Sequence, residues 1–382
     1  MDSRRLLLEI FDAALRAVDG RACVRAALAG AGGPRVAVFA IDKTSSSMTL
    51  GAIDALGAAI ASALVITKDG HVDTALLADA RVTVRETAHP IPDARSLAAG
   101  ATLVERLAQL PIDVHPLFLV SGGASSLVEH LRDGVSLDDL RALNRRGLGA
   151  GWDIATLNSE RARLSTLKGG GVAALLGGRA ATALFVSDVA GDSPDVIGSG
   201  LLGTHPVGAD AIRRRIVASV DVAVKAAVEA GAARGLTFAP GTRRFDGDAA
   251  EVAASFVDAL RETPAQGLVW GGESTVALAE PPGRGGRNTH LALAAARRLR
   301  ANDRLTILAA GTDGTDGPTE DAGAIVDGGT LERAELGGCD VERAWRAFDS
   351  GTALEAAEDL VHTGPTGTNV GDLLIGVRAP RR

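Results

Sequence analysis

"HPLFLVSGGASSLV", residues 115–128, runs from an unbroken apolar segment through Ser-Gly-Gly into small hydroxyl residues. A run without alternating polar residues suits a strand buried on both faces. Five further runs share its character: "RVAVFAI" (35–41), "ALVITK" (63–68), "ATALFVSD" (181–188), "QGLVWGG" (266–272) and "LTILAAG" (305–311). Between them lie Ala-rich stretches such as 96–109 and 210–231, with apolar residues three and four apart, the spacing of helices. Continuous apolar strands separated by helices predict parallel sheets covered on both faces, so the class is α/β.

The bulk properties narrow the partners. The chain has 382 residues, enough for two or three domains, and 46% of them are hydrophobic against 23% charged, so each domain has material for a core. A net charge of −7 with 3% aromatics gives no basic footprint and little to stack on bases, which argues against nucleic acid. The N-terminal "MDSRRLLLEIFDAALRAVDG" has helical spacing broken by charges, not the h-region of a signal peptide. "LGAAIASALVI" (56–66) falls short of the roughly 20 apolar residues of a membrane span. Cys23 and Cys339 make no disulfide framework and suit a reducing compartment. A cytoplasmic protein without membrane partners is expected.

The one composition break is "GLTFAPGTRRFDGDAAEV" (235–252), which sets domains at 1–240 and 241–382. "LVSGGASSLV" (119–128) is echoed by "LVWGGESTVA" (268–277), either as two phosphate-binding turns or as chance convergence of Gly-rich turns.

Most catalytic signatures are absent. No G-x-x-x-x-G-K-[ST] phosphate loop or G-x-S-x-G elbow occurs. "GGGVAA" (169–174) fits a dinucleotide fingerprint but follows the helix-like "SERARLSTLK", not a strand. "STLK" (165–168) fits S-x-x-K without its companion motifs. Three of the seven histidines (His89, His115, His205) precede proline, none forms H-E-x-x-H, and all read as structural. Asp313 and Asp316, in "AAGTDGTDGPTEDAGAIVD" (309–327), are three apart and fail the calcium-loop spacing. What remains is a set of eight Gly-rich loops, several of them at strand ends, including "AIDKTSSSM", "SGGASS", "KGGG" and "GRGGRN". Ligands of open α/β sheets sit at such strand ends, and glycine amides approach anions closely. Together the loops point to a polyanionic ligand such as a nucleotide.

Seven blocks, in order, resemble the glycerate 2-kinase family with its C-terminal MOFRL domain. They are "AHPIPDARSLAAG" (88–100), "SGGASSLV" (121–128), "LSTLKGGGVA" (164–173), "SDVAGDSPDVIGSG" (187–200), "GRGGRNTHLALAA" (283–295), the 309–327 loop and "TGPTGTNVGDLLI" (363–375). The resemblance implies a larger Rossmann-like three-layer domain with a mainly parallel sheet, a smaller α/β domain, and an active site in the cleft between them. It implies ATP- and Mg²⁺-dependent phosphorylation of the 2-hydroxyl of D-glycerate, giving 2-phosphoglycerate and ADP. The alternatives are a kinase for another small hydroxy or sugar acid, a hydroxypyruvate reductase, or a catalytically silent nucleotide binder. A homodimer is compatible with all of them.

On that resemblance Lys43 neutralises the transferred phosphoryl group, and Arg287 grips a carboxylate or phosphate bidentately. Asp188 is the base near the hydroxyl or, with Asp192, a Mg²⁺ ligand; Asp192 is alternatively a turn cap. Gly122, Gly123, Gly169 and Gly170 cradle phosphates, with Ser125 adding a hydroxyl and Lys168 a charge. Lys168 alternatively pairs with Glu160 or another surface acid. Thr366, Gly367 and Asn369 line the same place, and Arg284, Asp313 and Asp316 are assigned to the substrate, with turn caps as the alternative for the two aspartates. The chain departs from the family's Gly-Lys-Ala-Ala at "DKTSSSM", where Thr44 to Ser47 are expected to open a helix and offer hydroxyls. It departs again at "SGLLG" (199–203) and "GGRNTH" (285–290).

Overall fold

The computed structural model describes residues 2–30, 33–149, 152, 154–203, 211–277, 282–300 and 302–379. They form two compact units, one of Asp19–Ser219 with Gly367–Asn369, the other of the remaining residues. The first unit carries strands β1 (Val36–Ile41), β2 (Ile60–Lys68), β3 (Val82–Thr87), β4 (His115–Val120), β5 (Ala181–Ser187) and β6 (Ile212–Ser219). They pair in parallel throughout, in the order β3-β2-β1-β4-β5-β6. β1 and β4 are wholly buried apart from His115, as their unbroken apolar runs require. The strand order reverses between β1 and β4, which opens a crevice beyond their carboxyl ends.

The second unit holds β7 (Phe238–Pro240), β8 (Gly267–Gly272), β9 (Leu305–Gly311), β10 (Gly323–Asp327), β11 (Leu360–Val361) and β12 (Asp372–Arg378), ordered β11-β10-β9-β12-β8-β7. Here the expectation of a parallel sheet is corrected: among these pairs only β7 and β8 run parallel. β12, last in the chain, inserts between β8 and β9 and runs against both. The apolar runs reflect helices on both faces, not strand direction. Trp270 meets Phe256 of helix Ala249–Glu262 edge-on, while a Cβ on the adjacent Gly271 would strike Val220 of helix Val220–Ala232. Neighbours on a strand point to opposite faces, so both faces are covered.

All six predicted strands occur within a few residues of their expected places, and 96–109 lies in helix Ala94–Ala108 apart from its last residue. The stretch 210–231 does not form one helix: its described part begins with β6, and the helix Val220–Ala232 follows directly. "IRRRIVAS" is an edge strand, with Arg213 and Arg215 exposed. The division between units therefore falls at Ser219/Val220, not at 240. Nothing in composition marks that point, because strand and helix abut without a loop.

The N-terminal helix Ser3–Ala17 belongs to the second unit, with Leu7, Ile10, Phe11 and Ala14 buried. Its Asp2 caps the first turn, and Arg4 bonds to Asp327 (3.0 Å), the Ile325 carbonyl (2.6 Å) and Asp359. Among the described residues no helix is long and apolar enough to cross a membrane. Phe11 is 2% exposed. Phe11→Ala is expected to lower stability by about 3–5 kcal/mol, read from the urea midpoint, through the lost apolar burial and the cavity left behind.

Candidate active site

β1 and β4 deliver their carboxyl-end loops to the switch point. After β1 come Asp42 and Lys43, and after β4 come Ser121, Gly122 and Gly123. Asp42 is fully buried, holds φ at 112°, and accepts a 2.8 Å hydrogen bond from the Ser121 hydroxyl. A Cβ on Gly122 would lie 1.5 Å from Oδ2 of Asp188, the residue that follows β5. A Cβ on Gly123 would lie 2.5 Å from Asp42 Oδ1 and 3.2 Å from His89 Nε2. Gly123 also has φ at 67°, a conformation that favours glycine, while a Cβ at Gly122 would require the Asp188 carboxylate to move. Among the described residues, neither the Gly122 nor the Gly123 N–H donates a hydrogen bond to protein. Two amides without a protein acceptor among the described residues, beside two carboxylates and an imidazole, make this turn the chemically distinctive place in the unit.

The other predicted glycine turn is different. Gly169 N–H donates to the Ser199 carbonyl (3.0 Å) and Gly170 N–H to the Gly200 carbonyl (2.7 Å). With those amides spent inside the fold, Gly169 and Gly170 are corrected from a phosphate cradle to a structural turn. Lys168 is corrected with them. Its side chain is 1% exposed and forms an ion pair with fully buried Glu129, whose other oxygen accepts 2.5 Å from the Ser165 hydroxyl. Burial lowers the Lys168 pKa, and the charge and hydrogen bond of Glu129 oppose that. Glu160, the other expected partner, pairs with Arg163. Ser165 and Lys168 of "STLK" thus meet through a carboxylate in the core.

Ser125 lies in the short helix after Gly123, its hydroxyl 2.7 Å from that of Ser199. Ser199 donates in turn to Asn158 Oδ1 (3.0 Å), so Ser125 spends its proton on Ser199 and offers lone pairs only. The helix Ser45–Leu56 opens where "DKTSSSM" predicts, and no side chain caps its first turn. Its serine hydroxyls do not serve a ligand: Ser45 donates to the Ile66 carbonyl, Ser46 to His71, and Ser47 to Thr44 and Gly367. Asn369 reaches this unit's site, its Nδ2 donating to Asp188 (3.3 Å), and the Gly367 carbonyl accepts from Gly20 N–H (3.4 Å). Asp192, half-buried, stands at φ 51° in the turn after β5.

In the second unit Arg287 opens helix Arg287–Arg298. Asp372, 1% exposed, holds it bidentately at 2.6 and 3.0 Å, and Glu273 lies 2.8 Å from its third nitrogen. Burial lowers the Arg287 pKa, but the charge and hydrogen bonds of Asp372, with Glu273 and Asp316, outweigh it and leave the value raised. Three of its five N–H groups are used and two remain. Asp316, buried, accepts from Asn288 N–H (2.9 Å) and Thr289 N–H (2.7 Å), so it is a helix cap rather than a substrate contact. Burial raises its pKa against those same hydrogen bonds. Asp313 accepts from Thr315 N–H (3.1 Å) in a turn. Arg284 is paired with Asp321 (3.1 Å) and Glu355 (2.5 Å). The Thr366 hydroxyl donates to the Thr312 carbonyl (2.5 Å).

Sequence reasoning missed Asp42 as a site group and set aside His89 as structural. His205 lies outside the described residues. No group of three or more metal-ligating side chains occurs among the described residues. Magnesium needs only one or two carboxylates beside phosphate oxygens and water, and Asp42 and Asp188 supply that number at the open amides.

A doubly wound sheet with an acid-flanked glycine turn at its switch point defines a Rossmann-like protein. The chain matches the domain of unknown function DUF4147 over residues 6–231 and the MOFRL family over 266–372. It is 32% identical to the D-glycerate 2-kinase of Thermotoga maritima over 98% of both chains. The crystal structure of a Thermotoga maritima glycerate kinase superposes with a TM-score of 0.86 at 32% identity, over 98% of this chain and 99% of that one. A relative from Agrobacterium vitis, 33% identical over 98% of this chain and 94% of its own, is named provisionally as a hydroxypyruvate reductase. This chain belongs to the glycerate 2-kinase family.

If Lys168 is a buried structural partner, Lys168→Ala should lower stability by about 3–5 kcal/mol, because it strands the Glu129 charge. The urea midpoint reads this directly. An unchanged midpoint with weakened nucleotide binding would return Lys168 to the ligand.

Proposed function

We propose that the protein is a glycerate 2-kinase, moving the terminal phosphoryl group of ATP to the 2-hydroxyl of D-glycerate to give 2-phosphoglycerate and ADP. The observation that carries this reading is the Gly122–Gly123 turn, whose amides have no protein acceptor among the described residues, beside Asp42, Asp188 and the strand-end Lys43, in a chain of this family. Phosphoryl transfer asks a protein mainly for positioning and for charge on the transferring group. The two amides take phosphate oxygens. Lys43 answers the charge that develops on the group in transit. Arg287, held flat by Asp372, offers its two remaining N–H groups to a carboxylate or phosphate oxygen.

Two carboxylates beside a phosphate would repel it unless a cation lay between them, so these residues fit Mg²⁺. Asp188 would hold it, with Asp192 or Asp42 as second ligand, and bound Mg²⁺ supplies neutralising charge to the phosphates. His89, whose Nε2 would lie 3.2 Å from a Cβ on Gly123, is a second candidate beside Asp188 for the substrate hydroxyl proton. The proposed compartment is the cytoplasm, in keeping with the two free cysteines. The reductase reading finds no support at Gly169–Gly171, which follows a helix and spends all three of its amides internally.

An ATP-coupled assay over a panel of hydroxy acids tests the proposal, with NADH oxidation as a parallel channel. Glycerate should be turned over with ATP consumption, and Lys43→Ala should cut kcat about 10²–10³-fold while the protein stays folded. Wild-type turnover by that variant would remove Lys43 from the mechanism; NADH oxidation without ATP use would replace the kinase by a reductase. Gly122→Ala should cost at least about 100-fold in kcat, because its methyl group displaces Asp188 by more than an ångström. Steady-state kinetics beside a thermal melt separates that effect from unfolding.

A further inference from the structure

The amino end of the parallel sheet, at the opposite ends of the strands from Gly122 and Asp188, holds a cavity of about 440 Å³. Its lining includes Val36 of β1, Leu117 of β4 and Ala181 of β5, with Leu28 and Leu56 from the last positions of two helices. That volume lies in the range of small-molecule sites. An apolar cavity alone would say little about its occupant, but this one carries a few polar groups.

His115 Nε2 is 2.9 Å from the Thr182 hydroxyl, and both residues line the cavity. Arg213, at the start of β6, is exposed and makes no ion pair among the described residues. Burial first, then the charges of Arg179 and Arg213, lower the His115 pKa. Both charges that reach His115 are cationic. Arg179 is anchored to the carbonyls of Leu110, Pro111 and Val114, which fix it without cancelling its charge. Against the two arginines stand the carbonyl ends of helices Gly20–Leu28 and Ser45–Leu56, each equivalent to about half a negative charge. Two full positive charges exceed that, so the local field favours an anion.

We propose that this cavity is a second ligand site, for a small carboxylate with an apolar body, such as a branched aliphatic acid. The body packs on Leu28, Val36, Leu56 and Leu117, and the carboxylate meets Arg213. Glycerate does not suit it, because its hydroxyls would lose water against apolar walls without partners. The site stands apart from the kinase reading and holds whether or not that reading does.

The test compares 4-methylpentanoate with 4-methylpentanamide on the full-length protein, by saturation-transfer NMR and calorimetry. The acid should bind at least about tenfold more tightly than the amide, the amount one charge-assisted contact supplies. Arg213→Ala should erase that preference, and Ala211→Trp, at the cavity rim, should abolish binding of both. Neither variant should alter the urea midpoint or the turnover measured without added acid. Equal affinity for acid and amide, no binding of either, or acid binding that survives Arg213→Ala and is displaced by glycerate would each overturn the proposal.

Discussion

Asp188 and Asp42 lie so close to Gly122 and Gly123 that a Cβ at either position would push a carboxylate aside. That approach has consequences in two directions. It brings the ends of β1, β4 and β5 together at the point where strand order reverses, so three separate loops act on one small volume. It also leaves two backbone amides unspent beside two carboxylates, a combination that stores both anion-binding and cation-binding capacity. A turn with a Cβ at Gly122 would separate these groups, and the chemistry would separate with them.

The contrast with Gly169 and Gly170 shows why glycine content alone does not locate a phosphate site. Both turns combine left-handed glycines with small neighbours, and both were expected to cradle phosphate. The difference is an accounting of donors: one turn gives its N–H groups to Ser199 and Gly200, the other gives them to no acceptor among the described residues. The two lysines divide along the same line. Lys168 is neutralised in the core by Glu129, whereas Lys43 follows β1 at the switch point. The three serines after Lys43 resemble a ligand-binding series, yet each hydroxyl is bonded to a backbone carbonyl.

Much of the fold was legible because burial on both faces leaves a continuous apolar run, and six such runs are strands. The same signal misled about direction in the second sheet, since two covered faces look alike whether strands run parallel or opposed. "IRRRIVAS" escaped notice because an edge strand carries charges that a helix surface also carries. The boundary at Ser219/Val220 had no turn residues to mark it.

The sequence by itself determined the α/β class, the family through seven ordered blocks, and the residue types gathered at the strand ends. These are properties of pattern and local composition. Tertiary structure alone decided which of those residues are still open to a ligand. Whether Gly169 or Gly122 keeps its amide, which acids hold Arg284 and Arg287, and whether Asp316 caps a helix depend on partners distant in the chain. A hydrogen bond satisfied by a residue far away leaves no trace in the segment that makes it.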